Sequence, residues 1–133
     1  VASMLPVALL DVRPGHTVLD LCASPGSKTT QALEALCASE EGGEGEPDAL
    51  PPPSGYVAAN ELVPERAYVL AKRCATLGIA SARLAVTCHR AQIFPASGGR
   101  WDRIVCDVPC SGDGTFRKYR DKWGHWQAHQ GRE

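Results

Sequence analysis

Several features that would point to particular protein classes are missing from this sequence of 133 residues. The formal net charge is only −1, so the chain has no overall positive field of the kind that attracts nucleic acid. No apolar run is long enough to cross a membrane, and no signal-peptide pattern is present. The remaining composition, 44% apolar and 22% charged, is ordinary for a globular protein, and the length suits one domain with its own core.

The six cysteines do not form the close pairs that bind metal ions. They are scattered along the chain as Cys22, Cys37, Cys74, Cys88, Cys106 and Cys110. The absence of a Cys-x-x-Cys spacing argues against a zinc site. A disulfide framework is not needed either, because the helix and strand patterns suffice for a core. We therefore expect reduced thiols, no metal, no membrane contact and an intracellular protein, in the nucleus or the cytoplasm.

Short apolar runs alternate with helical patterns along the chain. Strands are predicted over 16–22, 56–59, 83–87 and 103–106, and helices over 27–38 and 64–77, with the end of a further helix over 2–10. Ser27 and Asn60 are the expected N-caps of the two full helices, and Gly78 the stop of the second. This order predicts βαβ units, and so an α/β fold with a largely parallel sheet.

Residues 39–54 interrupt this order with a low-complexity segment rich in Glu, Gly and Pro. Its composition predicts a solvated insertion between a helix and the next strand. The whole of 1–133 is otherwise predicted to form one domain. Because the chain begins at Val1 rather than at a methionine, we expect it to be a piece of a longer protein.

The nine residues Asp107-Val-Pro-Cys-Ser-Gly-Asp-Gly-Thr115 are the most informative segment. They follow a predicted strand, and α/β sheets bind their ligands at the carboxyl ends of parallel strands. The segment places a carboxylate, Asp107, three residues before a thiol, Cys110, and ahead of a glycine-rich turn. An acid and a thiol in this position are suited to act on a planar base.

A second motif, Asp20-Leu-Cys-Ala-Ser-Pro-Gly-Ser-Lys-Thr29, spans a strand end and a helix start. Its small residues let the backbone approach a ligand, and Gly26 lies where a side chain would clash most. Free N–H groups at the helix start suit a carboxylate, and Lys28 adds a positive charge. A phosphate loop is a weaker alternative, because that motif needs Lys directly after glycine and Ser27 intervenes here. A turn without a ligand is a third possibility.

Glu61 lies directly after the second predicted strand. In doubly wound folds an acidic residue at this point binds ribose hydroxyls. The insertion explains its long sequence distance from the glycine loop. The alternative is an acid that simply favours the positive end of the next helix.

Together these residues resemble the Sun-domain family of RNA cytosine-5 methyltransferases, most closely its eukaryotic branch that methylates tRNA. The similar segments are Ser3-Met-Leu-Pro6, Asp11-Val-Arg-Pro14, the loop after Asp20, Val57-Ala-Ala-Asn-Glu61 and 107–118. They cover nearly the whole chain apart from the insertion. The resemblance implies a Rossmann-like fold, S-adenosylmethionine as cofactor, methyl transfer to C5 of cytosine, and RNA as partner, with tRNA expected.

Carried over residue by residue, the resemblance assigns a cofactor site. The methionine portion of the cofactor would lie against Cys22, Ala23, Ser24, Pro25, Gly26, Ser27 and Lys28. Glu61 stands where the family usually has Asp and would bind the ribose, while Asp107 would border both the cofactor and the target base. Arg90 stands at or near the family's adenine-binding Asp, and Arg cannot accept a hydrogen bond. We therefore expect His89 or a backbone carbonyl to replace that Asp, or weaker cofactor binding.

The same resemblance gives catalytic roles to Asp107 and Cys110. In the family a thiolate adds to C6 of cytosine, which makes C5 nucleophilic enough to take a methyl group. Asp107 would assist near N3, which requires a raised pKa or a shared proton, and Cys110 would assist product release. The attacking thiol of the family lies in a Thr-Cys dipeptide on a strand later than the Pro-Cys motif, and no Thr-Cys follows Cys110 here. We therefore expect an incomplete fold without its nucleophile, and attack by Cys110 itself is the alternative.

Residues 116–126 interleave basic and aromatic side chains. Such a segment can contact phosphates and stack on unpaired bases, which makes Arg117 and Lys118 the candidate RNA-binding residues. An amphipathic helix that packs its tryptophans on the core explains the pattern equally well. Two other functions remain open: a non-catalytic module of the same fold that binds a cofactor or a partner, and a dinucleotide oxidoreductase. The second would need a Gly-x-Gly-x-x-Gly that is absent.

Overall fold

The computed structural model describes residues 2–37, 55–78, 81–95, 99–110, 112, 114 and 116–126. Its α-helices are α1 (Leu5–Leu9), α2 (Ser27–Cys37) and α3 (Pro64–Thr76). Its strands are β1 (Thr17–Asp20), β2 (Tyr56–Asn60), β3 (Leu84–Thr87) and β4 (Arg103–Val105). The predicted insertion at 39–54 lies outside the described residues. Within the described ranges, no helix is both long and apolar enough to span a bilayer.

The four strands form one parallel sheet in the order β3-β2-β1-β4. Val18 of β1 lies opposite Val57 of β2 on one side and Arg103 of β4 on the other. The chain therefore builds outward from β1 to β3 and then crosses back to the other side of β1. This reversal between β1 and β4 is the point at which open α/β sheets bind ligands. The predicted parallel α/β fold is confirmed.

Buried stripes on the two longer helices hold them against this sheet. On α2 the buried positions include Thr29, Leu33 and Leu36, and on α3 they are Ala67, Leu70 and Cys74. These spacings of three and four residues place each set on one helix face. Leu33 and Leu36 pack with Val18, Val57 and Val105 of the sheet, while Leu70 and Cys74 pack with Ala23 and Ala59. The two clusters fix the loops that follow β1 and β2 relative to each other.

The predicted caps of both helices are wrong. Helix α2 begins at Ser27 itself, and the carbonyl of the preceding Gly26 accepts the Thr30 N–H at 2.8 Å. Helix α3 is preceded by Val63, which makes no side-chain cap. Pro64 can begin that helix because it has no N–H to satisfy. Asn60 is instead the last residue of β2 and is fully buried.

Candidate active site

A cavity of about 350 Å³ opens at the carboxyl ends of the strands. Each strand contributes a polar wall residue just beyond its end: Cys22 after β1, Glu61 after β2, His89 after β3 and Asp107 after β4. Leu62, Val63, Val108 and Pro109 add apolar surface. Small-molecule sites are typically cavities of roughly 300–1,000 Å³ with a few convergent polar groups on apolar walls. The cavity has this character.

Glu61 is held in the wall of the cavity by its own turn and by α3. The residue is only 5% exposed. Its Oε1 accepts the Val63 N–H at 3.1 Å, and its Oε2 lies 3.5 Å from a guanidinium nitrogen of Arg66. Its own backbone N–H donates to the Thr87 carbonyl at 3.0 Å. The carboxylate is thus fixed in position, and the bond to Val63 also serves the start of α3.

The predicted cofactor loop meets the cavity through only two of its seven residues, Cys22 and Ser24. Ala23 is buried, and its N–H donates to the Asn60 carbonyl at 2.8 Å. Further along, the loop is tied to α3, because Arg66 donates to the Ser24 carbonyl at 3.4 Å and Arg73 donates to the Pro25 carbonyl at 3.4 Å. The loop is therefore positioned by the third helix rather than left free.

Gly26 is required by helix packing. Its φ of +100° lies in the left-handed region that favours glycine, and an added Cβ would lie 2.6 Å from Cδ1 of Leu70. The sequence predicted a glycine that makes room for a ligand. The structure also places the side chain of the buried Leu70 against it.

Lys28 and Asp107 bring the two sequence motifs together. The Lys28 Nζ donates to Oδ2 of Asp107 at 2.5 Å. The lysine side chain is only 16% exposed, whereas that of the aspartate is 62% exposed. A second, smaller cavity of about 180 Å³ is lined by both residues and by Cys106. The positive charge of Lys28 is therefore directed at the predicted catalytic carboxylate.

Asp20, the last residue of β1, is a buried carboxyl to which the sequence motifs assign no role. It is 1% exposed, and its Oδ2 accepts the Thr29 hydroxyl at 2.8 Å. Burial raises the pKa of Asp20, and the Thr29 and Cys22 hydrogen bonds and the Lys28 charge oppose this. The combination of an acid at a strand end and a helix-facing threonine nine residues later is the signal that could have revealed the contact.

Cys22 faces several acidic groups. Burial raises the pKa of its thiol, and the neighbouring Cys106, Glu61, Asp20 and Asp107 raise it further. A thiol in such surroundings stays protonated near neutral pH and is a poor nucleophile. Cys22 is therefore a wall residue rather than an attacking group.

Cys110 is exposed and does not line the larger cavity, although Pro109 beside it does. All six cysteines are free thiols. Among the residues described, no group of three or more His, Cys, Asp or Glu side chains is placed to bind a metal ion. Cys110 is close to the site in sequence without forming part of its wall.

The predicted RNA-binding segment, residues 116–126, comes directly after the motif that contains Asp107 and Cys110. Arg117 and Lys118 are exposed, and the Lys118 Nζ lies 5.4 Å from the centroid of the Tyr119 ring. Residues Arg120–His125 form a 3-10 helix rather than a long amphipathic α-helix. Trp126 is 47% exposed, so this tryptophan is not packed into the core. Phe116, at the start of the segment, is buried.

Arg90 is exposed and does not line the cavity, whereas His89, Ala91 and Gln92 do. Arg90 therefore lies outside the wall that would contact a ligand. Sequence reasoning missed Asn60, Arg66 and Gln92, which also line the cavity. Nothing in their spacing distinguishes them from ordinary strand-end and helix residues.

A family sequence model described as 16S rRNA methyltransferase RsmB/F matches residues 7–129. The chain belongs to this family. The multisite-specific tRNA:(cytosine-C(5))-methyltransferase of Saccharomyces cerevisiae is 42% identical over 140 residues, which cover 97% of the chain and 19% of the yeast protein. The tRNA (cytosine(34)-C(5))-methyltransferase of Drosophila melanogaster is 44% identical over 138 residues, which cover 96% and 17%. The chain thus spans about a fifth of the length of these two relatives.

Solved structures place the fold of this RsmB/F domain among methyltransferases. The protein PH0851 superposes with a TM-score of 0.76 at 26% identity, over 96% of this chain and 25% of that one. NSun6 from Pyrococcus horikoshii, crystallised with SFG, gives 0.65 at 22% identity over 82% and 24%. A SAM-dependent O-methyltransferase from Thermotoga maritima gives 0.63 at 20% over 92% and 38%. The Rossmann-like fold and the resemblance found in the motifs are confirmed, and the oxidoreductase alternative is removed.

Proposed function

We propose that this domain binds S-adenosylmethionine in the cavity beyond the strand ends and serves an enzyme that methylates C5 of cytosine in RNA, with tRNA as substrate. The observation that supports this most strongly is the arrangement of Glu61 and the Lys28–Asp107 pair around the carboxyl ends of β1, β2 and β4. Membership of the RsmB/F family supports the reaction class. The names of the yeast and Drosophila relatives support tRNA.

The residues present fit the cofactor. The buried carboxylate of Glu61 offers acceptor lone pairs for two ribose hydroxyls, and Leu62 and Val63 offer an apolar surface for a flat ring. Cys22 and Ser24 begin the loop through Lys28 that would hold the methionine portion. When bound, the cofactor supplies a methyl group on a positively charged sulfur. The acidic surroundings of Cys22 suit that charge.

Asp107 is the residue that would act on the cytosine. A cysteine thiolate would add to C6 and move electron density to C5 and N3, so that C5 could take the methyl group as the bond between that group and the cofactor sulfur breaks, the electron pair staying on sulfur. Loss of the C5 proton and breakage of the S–C6 bond restore the ring. The Lys28 Nζ already donates to Asp107 at 2.5 Å, which would hold this carboxyl in place for contact near N3.

We place the attacking thiol outside these 133 residues. The Thr-Cys that they do contain, Thr87-Cys88, stands at the end of β3, ahead of the Pro-Cys motif, and no Thr-Cys follows that motif. Neither Cys88 nor Cys110, the alternative, lines the cavity. Cys110 is then left with the proposed role in product release. Arg117 and Lys118 would contact phosphates of the RNA, and an intracellular location, nuclear or cytoplasmic, fits such a substrate.

Calorimetric titration of the chain with S-adenosylmethionine tests the cofactor site. Glu61→Ala should weaken binding by roughly tenfold to a hundredfold, because two hydrogen bonds to a charged acceptor are lost. Glu65→Ala is the matched control, since it removes the same charge from an exposed position in the first turn of α3. Unchanged binding is expected there. A folded chain that does not bind the cofactor would refute the proposed site.

A further inference from the structure

The side chain of Asn60 is completely enclosed and yet forms part of the cavity wall. The residue is 1% exposed and ends strand β2, next to Glu61. A buried amide is costly unless all of its polar atoms are paired. The hydrogen-bond partners of the Asn60 amide therefore show which parts of the structure it connects.

Its four hydrogen bonds reach three residues at or just beyond the ends of β1 and β3, the strands that flank β2. The Nδ2 group donates to the carbonyls of Leu21 at 3.0 Å and His89 at 2.9 Å. The Oδ1 atom accepts the Thr87 hydroxyl at 3.0 Å and the His89 N–H at 2.9 Å. An asparagine amide has two donors and two acceptor lone pairs, so its capacity is fully used.

These bonds join the two opposite walls of the cavity. Leu21 follows β1 and His89 follows β3, and both line the cavity. Backbone hydrogen bonds also join these strand ends in pairs, from the Ala23 N–H to the Asn60 carbonyl at 2.8 Å and from the Glu61 N–H to the Thr87 carbonyl at 3.0 Å. Neither of these bonds reaches both loops, as the Asn60 side chain does. One side chain from the strand between them sets their separation.

We propose that Asn60 is a positioning residue that fixes the distance between the β1 and β3 loops and thereby determines affinity for the nucleoside part of the cofactor. This inference rests on the proposed function. Asn60 itself need not touch the ligand, because Glu61 and the wall residues His89, Ala91 and Gln92 would provide the contacts. Its amide holds those contacts at the spacing that the ligand needs.

The substitution Asn60→Asp tests this with almost no change of size. The carboxylate keeps its acceptors for Thr87 and the His89 N–H but directs a second oxygen at the carbonyls of Leu21 and His89. Repulsion should separate the two walls. Protonation of the introduced carboxyl restores one donor, so lowering the pH should partly rescue binding.

The measurement is the affinity for S-adenosylhomocysteine by calorimetry, from about pH 5 to about pH 8. For Asn60→Asp we expect binding about tenfold to a hundredfold weaker at the upper end, with recovery at the lower end. Titratable or charged groups face this site from every neighbouring element: Cys22, Glu61, His89, Arg66 and Asp107. The unchanged protein is therefore titrated over the same range, and its pH dependence is subtracted.

Three further variants separate positioning from loss of stability. Thr87→Val removes only one of the four bonds and should weaken binding by no more than about fivefold. Val7→Ala destabilises the core cluster under α2, away from the cavity, and should leave affinity unchanged. Asn60→Ser introduces no charge and provides the test if Asn60→Asp does not fold. It should weaken binding without the pH-dependent recovery.

The outcomes distinguish the two proposals. If the unchanged chain does not bind S-adenosylhomocysteine, the proposed function fails and this inference fails with it. If the unchanged chain binds and the Asn60 variants bind within about twofold of it, only the positioning role is overturned. An affinity loss in Asn60→Asp without recovery at low pH would also overturn it.

Discussion

The Nζ atom of Lys28 lies 2.5 Å from Oδ2 of Asp107 and links two residues that are 79 positions apart in the sequence. Lys28 belongs to the first turn of α2, and Asp107 follows β4, so the contact bridges the reversal in strand order between β1 and β4. The pair combines a largely buried cation with an accessible carboxylate. This asymmetry suits a site in which the carboxylate meets a substrate while the lysine remains in the protein.

Lys28→Met should therefore affect chemistry far more than stability. Because Asp107 is mostly exposed, the pair should contribute no more than about 1 kcal/mol to the free energy of unfolding. In the full protein, transfer of labelled methyl to RNA should fall about a hundredfold or more. Arg13→Met is the control, because it breaks the 2.5 Å pair with Asp11 outside the cavity. Equal methyl transfer by both variants would exclude a catalytic role for Lys28.

Gly26→Ala should be more destabilising than Gly78→Ala. Both glycines have positive φ, +100° and +66°, and alanine there costs on the order of 1–3 kcal/mol. A Cβ at Gly26 also meets Leu70, whereas one at Gly78 has nothing within 4 Å. Urea unfolding of the two variants compares their free energies of unfolding directly. A smaller loss for Gly26→Ala would contradict the packing account of the loop.

Asp20 should make the protein less stable as the pH rises. Burial raises the pKa of this carboxyl above 3.8, so the folded state retains a proton that the unfolded chain releases. The folded state then binds more protons, and the free energy of unfolding decreases with pH through the window above 3.8. Asp20→Asn should abolish this decrease in thermal or urea unfolding followed across the acidic range.

Asp102 provides a control of opposite sign for that experiment. Hydrogen bonds from the Thr17 amide and hydroxyl lower the pKa of Asp102 below 3.8. Its stabilisation is therefore present above 3.8 and lost as the pH falls. Asp102→Asn should reduce the loss of unfolding free energy at acidic pH. It should leave unchanged the decrease in unfolding free energy that Asp20 causes at higher pH. An unchanged pH profile in Asp20→Asn would mean that the buried carboxyl is already ionised.

Arg117 and Lys118 should contribute to RNA binding through phosphates. In the double alanine variant, the slope of the logarithm of the binding constant against the logarithm of salt concentration should decrease by about 1.4–1.8. Lys72 and Arg100 are exposed residues whose double alanine variant makes the same charge change elsewhere. Fluorescence anisotropy with labelled tRNA at several salt concentrations measures both slopes. Equal slopes in the two double variants would remove the segment from the RNA interface.

The sequence patterns were sufficient for the architecture because they are local. Alternating apolar runs and helical stripes predicted every strand and both longer helices to within two residues of their observed ends. The strand-end motifs likewise predicted that Glu61 and Asp107 would meet at one edge of the sheet. Parallel strands bring their carboxyl ends together whatever the intervening loops contain.

The details that the sequence patterns did not predict depend on contacts between distant residues. Asn60 is typical of a helix cap in sequence. The four hydrogen bonds of its side-chain amide, however, are all to residues 27 to 39 positions away. Gly26 has the character of a ligand-binding glycine, but its neighbour is Leu70 on another helix. No local pattern distinguishes these alternatives, since each residue type serves both purposes. The tertiary partner decides between them.

The most direct test of the central proposal is nucleoside mass spectrometry of tRNA incubated with S-adenosylmethionine and the full protein that carries this domain. We predict 5-methylcytidine in the treated tRNA and at least a hundredfold less product with Asp107→Asn, at about equal cofactor affinity. Methylation at another atom of the base, or full activity in Asp107→Asn, would contradict the account.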